Sequence, residues 1–437
     1  MLRHTVFALA LAGLCAATAQ PAAARDWYVS AARGKGKKGT KEKPAKDLGN
    51  IVKKLQAGDV VHIAEGVYLG RGKSGSVTLN VPVQIIGGYS DDFSTRDPWG
   101  AHRTIFSGDN LTKNYTPNPA LYVDLSKYEE KNAPILVDGI IFDASGRNRY
   151  SGGPQGPRQQ VILLANPKTG ENPSPTLGTL VIKVGRSERF DRGPRWKITV
   201  QNCIVMNSVT TQGCLAVSGY KGSEVTIRNN LIINNSGIAL WAGTKFMGDG
   251  PPKFLIENNT VLFTWRHTIN NETGSSFGCD KNIDATLRNN VFAVADRYGI
   301  NNGKGATLLL INNNITGNLA ADYREGSTLI AWEDIEDEAE CLHEDSEDNV
   351  SEPIQVPVSA EWAKLYASRV VVDREKLEAD VKAKGTPIND LRRLLGLSVE
   401  GTSIKGPESP VFVHAMSVDD ACKAGAQQYG GRGCQKP

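Results

Sequence analysis

The 437-residue chain has almost no net charge: 50 Lys and Arg stand against 47 Asp and Glu, a formal +3. Composition therefore gives no electrostatic reason to expect a nucleic-acid partner. There is no Cys-x-x-Cys and no Cys/His cluster, which removes the usual structural zinc site and leaves no metal ligand set to name. Beyond the first 26 residues no apolar run is long enough to cross a bilayer, so no membrane span is expected. Between residues 197 and 332 helical spacing is missing as well, because the apolar runs there are only four to six residues long, as strands are. Histidine is scarce, and His267 is the only one in that stretch.

What is present is a repeated phrase. "TIRNNLIINN" at 226–235 is followed by "LIENNTVLF" at 255–263, "TLRNNVFAV" at 286–294 and "LINNNITGN" at 310–318, with a degraded copy, "VQNCIVMN", at 200–207. The second residues of the pairs, Cys203, Asn230, Asn259, Asn290 and Asn314, are spaced 24 to 31 residues apart. A period of that size marks a solenoid or array. Three short β-branched runs and three turns per repeat fit one coil of a parallel β-helix. Asn is a poor strand residue but enters the left-handed region easily, so each doublet belongs at a sharp turn. Identical amides stacked coil on coil can satisfy one another. The expected ladder is Asn202, Asn229, Asn258, Asn289 and Asn313. The fold class is thus all-β, a solenoid spanning about 25–332, interrupted by a polar, Gly/Pro-rich insertion at about 144–196.

The ends read differently. Residues 1–24 have a basic start, an apolar run and A-x-A-like cleavage points after Ala19 or Ala24, a secretory signal that implies export to a periplasm or the outside. Six cysteines follow it, an even number that suggests disulfides in an exported chain, with Cys422 and Cys434 the nearest local pair. An amphipathic helix over Asp47 to Gln56 would put Leu48, Ile51, Val52 and Leu55 on one face and cap the first coil. Residues 333–352 form an acidic loop: ten carboxylates and no Lys or Arg fall within 333–348. Their oxygens suit Ca2+, the one cofactor that composition suggests, but the spacing of an EF-hand is missing and a solvated loop is the simpler reading. Residues 353–437 form an extension, helical over roughly 359–396 and loop-rich in its last forty residues. A monomer is expected.

The entry segment carries a further signal. "YVS", "GTKEKP", "AGDVVHIAEGVY" and "IIGGYS" follow one another between residues 28 and 90. This order resembles the N-terminal entry of right-handed parallel β-helix proteins of the pectin-lyase-like superfamily, and is similar to that of alginate lyases and chondroitinase-B-like enzymes on that fold. The resemblance implies a polysaccharide groove along one sheet, walled by the loops that leave its strands. Here that sheet would hold 214–219, 237–243, 267–272, 298–303 and 328–333, aligned on inward Leu215, Ile238, Ile269, Ile300 and Leu329. Alternation then turns Ser218, Trp241, Asn270, Glu272 and Asn301 outward. Trp241 offers a stacking face for a sugar ring.

Cations fall on the same side. Arg266 and Arg297 each stand three residues before an aligned Ile and would stack on adjacent coils, while Lys221, Lys245, Lys281 and Lys304 follow four of the strands. A line of cations attracts a polyanion. Elimination from a uronate needs a cation for the carboxylate, a base and an acid. The available residues are Arg266, His267, Asp280, Lys281 and Arg297. The Glu-x-Glu and Ile-Ser-x-Lys-Ser segment of the resembling lyases is absent, as is the Asp-Pro-His-Asp of alginate epimerases. The expectation is an exported β-helix protein that binds an anionic polysaccharide and, in the stronger form, cleaves it as a lyase. The alternative is a non-catalytic surface or matrix protein that uses the same groove for adhesion.

Overall fold

In the computed structural model the short apolar runs stack as strands in three largely parallel sheets. It describes residues 24–108, 119–129, 133–147, 178–185, 196–265 without 209, 211 and 212, 274–363 without 361, and 415–437 without 428. One coil consists of Glu224–Arg228 in the first sheet, Leu231–Ser236 in the second and Ile238–Thr244 in the third. The next coil repeats the order with Lys253–Glu257, Thr260–Trp265 and Ser275–Cys279. The described strands number nine, eight and nine in the three sheets.

Register follows the apolar side chains. Val137, Val200, Ile227, Ile256, Leu287 and Leu310 lie one above another down the first sheet. Leu121, Leu180, Leu215, Leu240, Phe277, Ile300 and Tyr323 do the same in the third. All are buried inside the stack. Each contributes about 1.5–3 kcal/mol by leaving water, and a one-residue slip would turn its column outward.

The asparagine doublets divide their work. The first members, Asn202, Asn229, Asn258, Asn289 and Asn312, have φ between 50° and 55° and turn the chain. The second members form the buried ladder. Asn230, Asn259, Asn290 and Asn313 each donate from Nδ2 to the next amide oxygen, at 2.9, 3.0, 2.9 and 2.9 Å, the last to Asn349. Each of those oxygens also accepts the backbone N–H of the ladder residue before it. The second hydrogen of each Nδ2 goes to a carbonyl of the preceding coil, such as Ile227 O for Asn259 at 2.8 Å. The expected ladder therefore moves by one residue at Asn229, Asn258 and Asn289, to the second member, is correct at Asn313, and has no buried amide at the Asn202 level, where the second member is Cys203. In the triple Asn of 312–314 the doublet is the first two residues, and Asn314 begins a strand. The outer residues make a partial ladder of their own: Asn229 donates to Asn202 at 2.7 Å and Asn312 to Asn289 at 2.8 Å.

The second sheet is apolar on both faces. Phe142, Val205, Ile232, Val261, Phe292 and Ile315 point into the stack. Ile204, Met206, Leu231, Ile233, Leu262 and Val291 point out and are equally buried. They are covered by Trp99 and by the C-terminal extension, including Met416, Tyr429, Cys434 and the helix Val418–Ala426. That helix starts at Ser417, whose hydroxyl accepts from Asp420 N at 3.0 Å, so the last forty residues are not simply loops. Three Asn side chains hold the cover as surrogate peptides: Asn207 against Met416, Asn229 against Gln435 and Asn314 against Glu352 each donate one hydrogen bond and accept one.

Other expectations need correction. The capping segment is two 3-10 turns, Leu48–Asn50 and Val52–Lys54, and not an α-helix. Gly49 and the β-branched Ile51 and Val52 weaken a helix, and Leu55 is already extended. Leu48, Ile51 and Leu55 still bury themselves against the first coil. The insertion at 144–196 contains Leu180–Val184, a full strand of the third sheet. The acidic segment adds to the stack: Leu342, Glu347 and Val350 bridge to Leu308, Ile311 and Asn314, and Asn349 ends the ladder. Cys203, Cys214, Cys279, Cys341, Cys422 and Cys434 are free thiols. Cys434 points into the second core toward Gly425 O, while Cys422 faces Arg103 and Asp419, so the local pair is not joined. The expected signal, residues 1–24, lies outside the described residues except for Ala24, as does nearly all of the helix expected at 359–396. No helix among the described residues is long and apolar enough to cross a membrane.

Two measurements test the ladder and the last coil. Asn259→Leu leaves Asn230 N–H without its acceptor and takes the amide donor from Ile227 O, and is expected to cost about 1–3 kcal/mol in urea unfolding. Asn258→Ala loses only the left-handed preference and should cost about 1 kcal/mol. Equal effects would show that the inner amides carry no ladder. In the last coil, burial pushes the Asp322 carboxyl up to about 7, partly opposed by the amide of Asn318 at 2.9 Å. The folded state thus holds a proton that the unfolded state releases near 3.8, and this group's contribution to stability falls as pH rises from about 4 to above 7. Asp322→Asn should melt higher than wild type at pH 8, with the gap closing near pH 4; a gap independent of pH would contradict it.

Candidate functional site

Of the three outer faces, the second is covered and the first is filled by its own charges. There Glu224, Lys253 and Asp284 alternate in sign across neighbouring strands, and so do Arg228, Glu257 and Arg288. Arg288 Nε donates to Glu257 at 3.1 Å. The third sheet is different. Down its outer face Tyr122, Val181, Ala216, Trp241, Gly278, Asn301 and Arg324 lie in register. Small residues between two aromatics leave a trough of about 350 Å3, lined by Val181, Lys183, Ala216, Ser218, Ile238 and Trp241.

Trp241 lies down on the sheet because its neighbours are glycines. A Cβ on Gly213 would stand 2.4 Å from the Trp241 Cβ, one on Gly243 would stand 2.6 Å from Nε1, and one on Gly278 would stand 3.1 Å from Cε3 and Cζ3. Lys304 Nζ sits 5.4 Å from the ring centroid and 2.5 Å from Asp280 Oδ1. Asp280 Oδ2 accepts Thr244 N at 2.9 Å, which fixes the carboxylate beside the indole. Beyond the opposite side of the trough, Lys183 Nζ lies 5.9 Å from the Tyr122 ring. Burial, then the charge of Asp124, pushes the Tyr122 phenol up to about 12. Burial raises Asp124, but the hydroxyl and amide of Ser126, the Tyr122 hydroxyl and Lys183 together hold it below its usual range. With three strand steps of about 4.8 Å, the two aromatics stand about 14 Å apart.

The expected site residues are placed as follows. Trp241 and Asn301 face outward and are partly exposed, with Asn301 two coils farther along than Trp241. Ser218 lines the trough. Lys245 and Lys281 are exposed on the turns that leave Ile238–Thr244 and Ser275–Cys279. Arg297 donates to the Tyr298 hydroxyl at 2.7 Å and lies 5.2 Å from its ring, with Arg324 at 5.3 Å. Arg266, His267, Asn270 and Glu272 lie outside the described residues.

The register differs from expectation at three strands. Leu215 pairs with Leu240, while Ile238 pairs with Gly213 and borders the trough. The coil expected to use 267–272 takes its strand from Ser275–Cys279. Arg297 N donates to Gly274 O at 2.9 Å, and the expected stacking of Arg266 on Arg297 lies outside the described residues. Leu329 belongs to Thr328–Ile330, which turns back antiparallel on Ala321–Glu325. Tyr122, Asp124 and Lys183 were missed from sequence because no asparagine doublet precedes their strands. The alternating "LYVDL" and the "LVIKV" run were the signals available.

Among the described residues, no group of three or more His, Cys, Asp or Glu is arranged to hold a metal ion. No protein-family model matches the chain, and no curated protein matches it. Among solved structures, a GH136 lacto-N-biosidase from Eubacterium ramulus aligns over 75% of this chain and 67% of its own, at 10% identity and a TM-score of 0.18, too distant to inform the site.

The glycine bed is testable. Gly278→Val should lift the indole from the sheet. The emission lost on Trp241→Phe, measured with and without Gly278→Val, should then shift to longer wavelength. An unshifted Trp241 component would mean that the ring is not seated on Gly278.

Proposed function

We propose that this chain is a polysaccharide-binding β-helix protein of pectin-lyase-like type, acting after export, with its ligand lying along the outer face of the third sheet. The observation that carries this reading is Trp241. It is a large aromatic face, held flat and partly exposed, at one side of an open trough, with a second aromatic, Tyr122, beyond the far side. Sugar rings present apolar C–H faces and polar rims, and an aromatic floor with Lys, Asp and Ser at its edges meets both.

An anionic polymer is the ligand class. Lys221, Lys245, Lys281 and Lys304 follow successive strands along one edge of this face. Lys304 is neutralised by Asp280, whereas Lys221, Lys245 and Lys281 have no carboxylate partner among the described residues. Three unneutralised cations on consecutive coils favour a polymer with regularly spaced carboxylates. Cleavage by β-elimination is the stronger form of the proposal. It assigns the carboxylate cation to Arg266 or Arg297, the base to Lys281 and the acid to His267, with Asn270, Glu272 and Asn301 as further contacts. Adhesion without chemistry is the alternative.

Retention on polygalacturonate, alginate and a neutral glucan separates these readings. Trp241→Ala should weaken binding about tenfold. Changing Lys221, Lys245 and Lys281 together to Gln should remove most of the salt dependence that Debye screening imposes. Ultraviolet absorbance from an unsaturated uronate, lost in Lys281→Met while retention persists, would establish the lyase form. Retention of anionic polymers without absorbance would establish adhesion. Unchanged retention of the Trp241→Ala protein would overturn the groove itself.

A further inference from the structure

The two ends of the solenoid carry opposite charge. Residues 33–54 contain nine Lys and Arg against two carboxylates, Glu42 and Asp47. All nine cations are exposed. None forms an ion pair among the described residues; Lys54 Nζ instead donates to a carbonyl, Lys37 O. This segment closes the first coil: Ala45 bridges in parallel to Val29 at the outer edge of the first sheet, and Tyr28 N donates to Gly39 O at 3.0 Å. At the far edge of the same sheet, Leu342 and Glu347 bridge to Leu308 and Ile311. That segment lies within the run of ten carboxylates at 333–348, all exposed and without a Lys or Arg among them. The sheet order puts these edges at opposite poles of the stack.

We infer that copies of this chain associate head to tail, the basic pole of one against the acidic pole of the next. Like charges crowded at each pole repel, and the opposite pole of another copy relieves both repulsions at once. The contact is heterologous, because each copy offers two different surfaces. Repeated along the coil axis it does not close, so it builds linear rows. The cations are on long side chains and sit largely on a Gly-rich turn, so attraction comes from net charge and not from fixed geometry. Such contacts form reversibly and are released by salt, as the Debye length falls from about 30 Å at 0.01 M to about 3 Å at 1 M. This surface is separate from the trough, and its test does not depend on any polysaccharide.

The purified chain is to be followed by sedimentation velocity at about 10 mM and about 500 mM NaCl, over a range of concentrations. The average mass should rise with concentration at the lower salt and fall to that of a monomer at the higher. A basic-pole variant, Lys37→Glu with Lys38→Glu and Lys41→Glu, should be monomeric at low salt. So should an acidic-pole variant, Glu336→Lys with Asp337→Lys and Glu338→Lys. All six positions are exposed, and unchanged melting temperatures would confirm folding. Mixing the two variants restores complementary poles and should restore association. A monomer at every salt concentration overturns the proposal, as does association that ignores both variants. Polygalacturonate bound by the basic pole of a chain that does not self-associate would also overturn it, and would make that pole a polyanion site instead.

Discussion

A buried amide at the same corner of five successive levels of the stack, from Asn230 to Asn349, is the constraint on which the rest depends. Each interior ladder asparagine, Asn259, Asn290 and Asn313, gives its hydrogen-bonding capacity to protein partners: its oxygen takes a backbone N–H and a neighbouring Nδ2, and its own Nδ2 serves the next amide and a carbonyl. No second arrangement of neighbouring coils satisfies the same groups, so the ladder sets register as well as holding the turn. The outer columns of the third sheet are set by that sheet's own strand pairing. Trp241 comes to rest between glycines more than sixty residues apart, Gly213 and Gly278.

The second sheet determines which face is left for function. Its outer column is as apolar as its inner one, and an uncovered surface of that kind would not stay soluble. The C-terminal extension is therefore part of the fold. It is attached partly by asparagine side chains that imitate peptide groups, a use of the amide related to the ladder but turned outward. The first sheet answers water with alternating charges, and among the described residues only the third is left with an open, sparsely filled surface.

The solenoid was legible because its key residue is chemically conspicuous: a polar doublet inside an apolar run fits a sharp turn and little else. Errors fell where that signal was ambiguous. Two adjacent asparagines do not say which one turns and which one stacks, and three in a row at 312–314 hide the phase. Residues 267–272 alternate like a strand, but the ladder fixes only the first two strands of a coil, and eight extra residues before Gly274 shift the third. The other sharp turn left a fainter trace. Its left-handed positions are Asn207, Asn234, Phe263, Val294 and Gly317, and neither Phe nor β-branched Val announces a positive φ. Lys183 and Tyr122 were invisible for a related reason: they are brought together only by register, across sequence that carries no repeat phrase.

The fastening of the chain's end has a consequence in time. Gln435 bonds Asn229, Cys434 bonds Thr260 and Gly433 bonds Asn289, so these residues touch coils that lie some 150 to 200 residues earlier in the sequence. Until they emerge, Ile204, Leu231, Leu262 and Val291 lack their final cover and present a continuous greasy strip. A chain that coils in sequence order must carry that strip exposed while the residues between Val291 and Cys434 are added. The strip is covered only when residues 416–434 reach it.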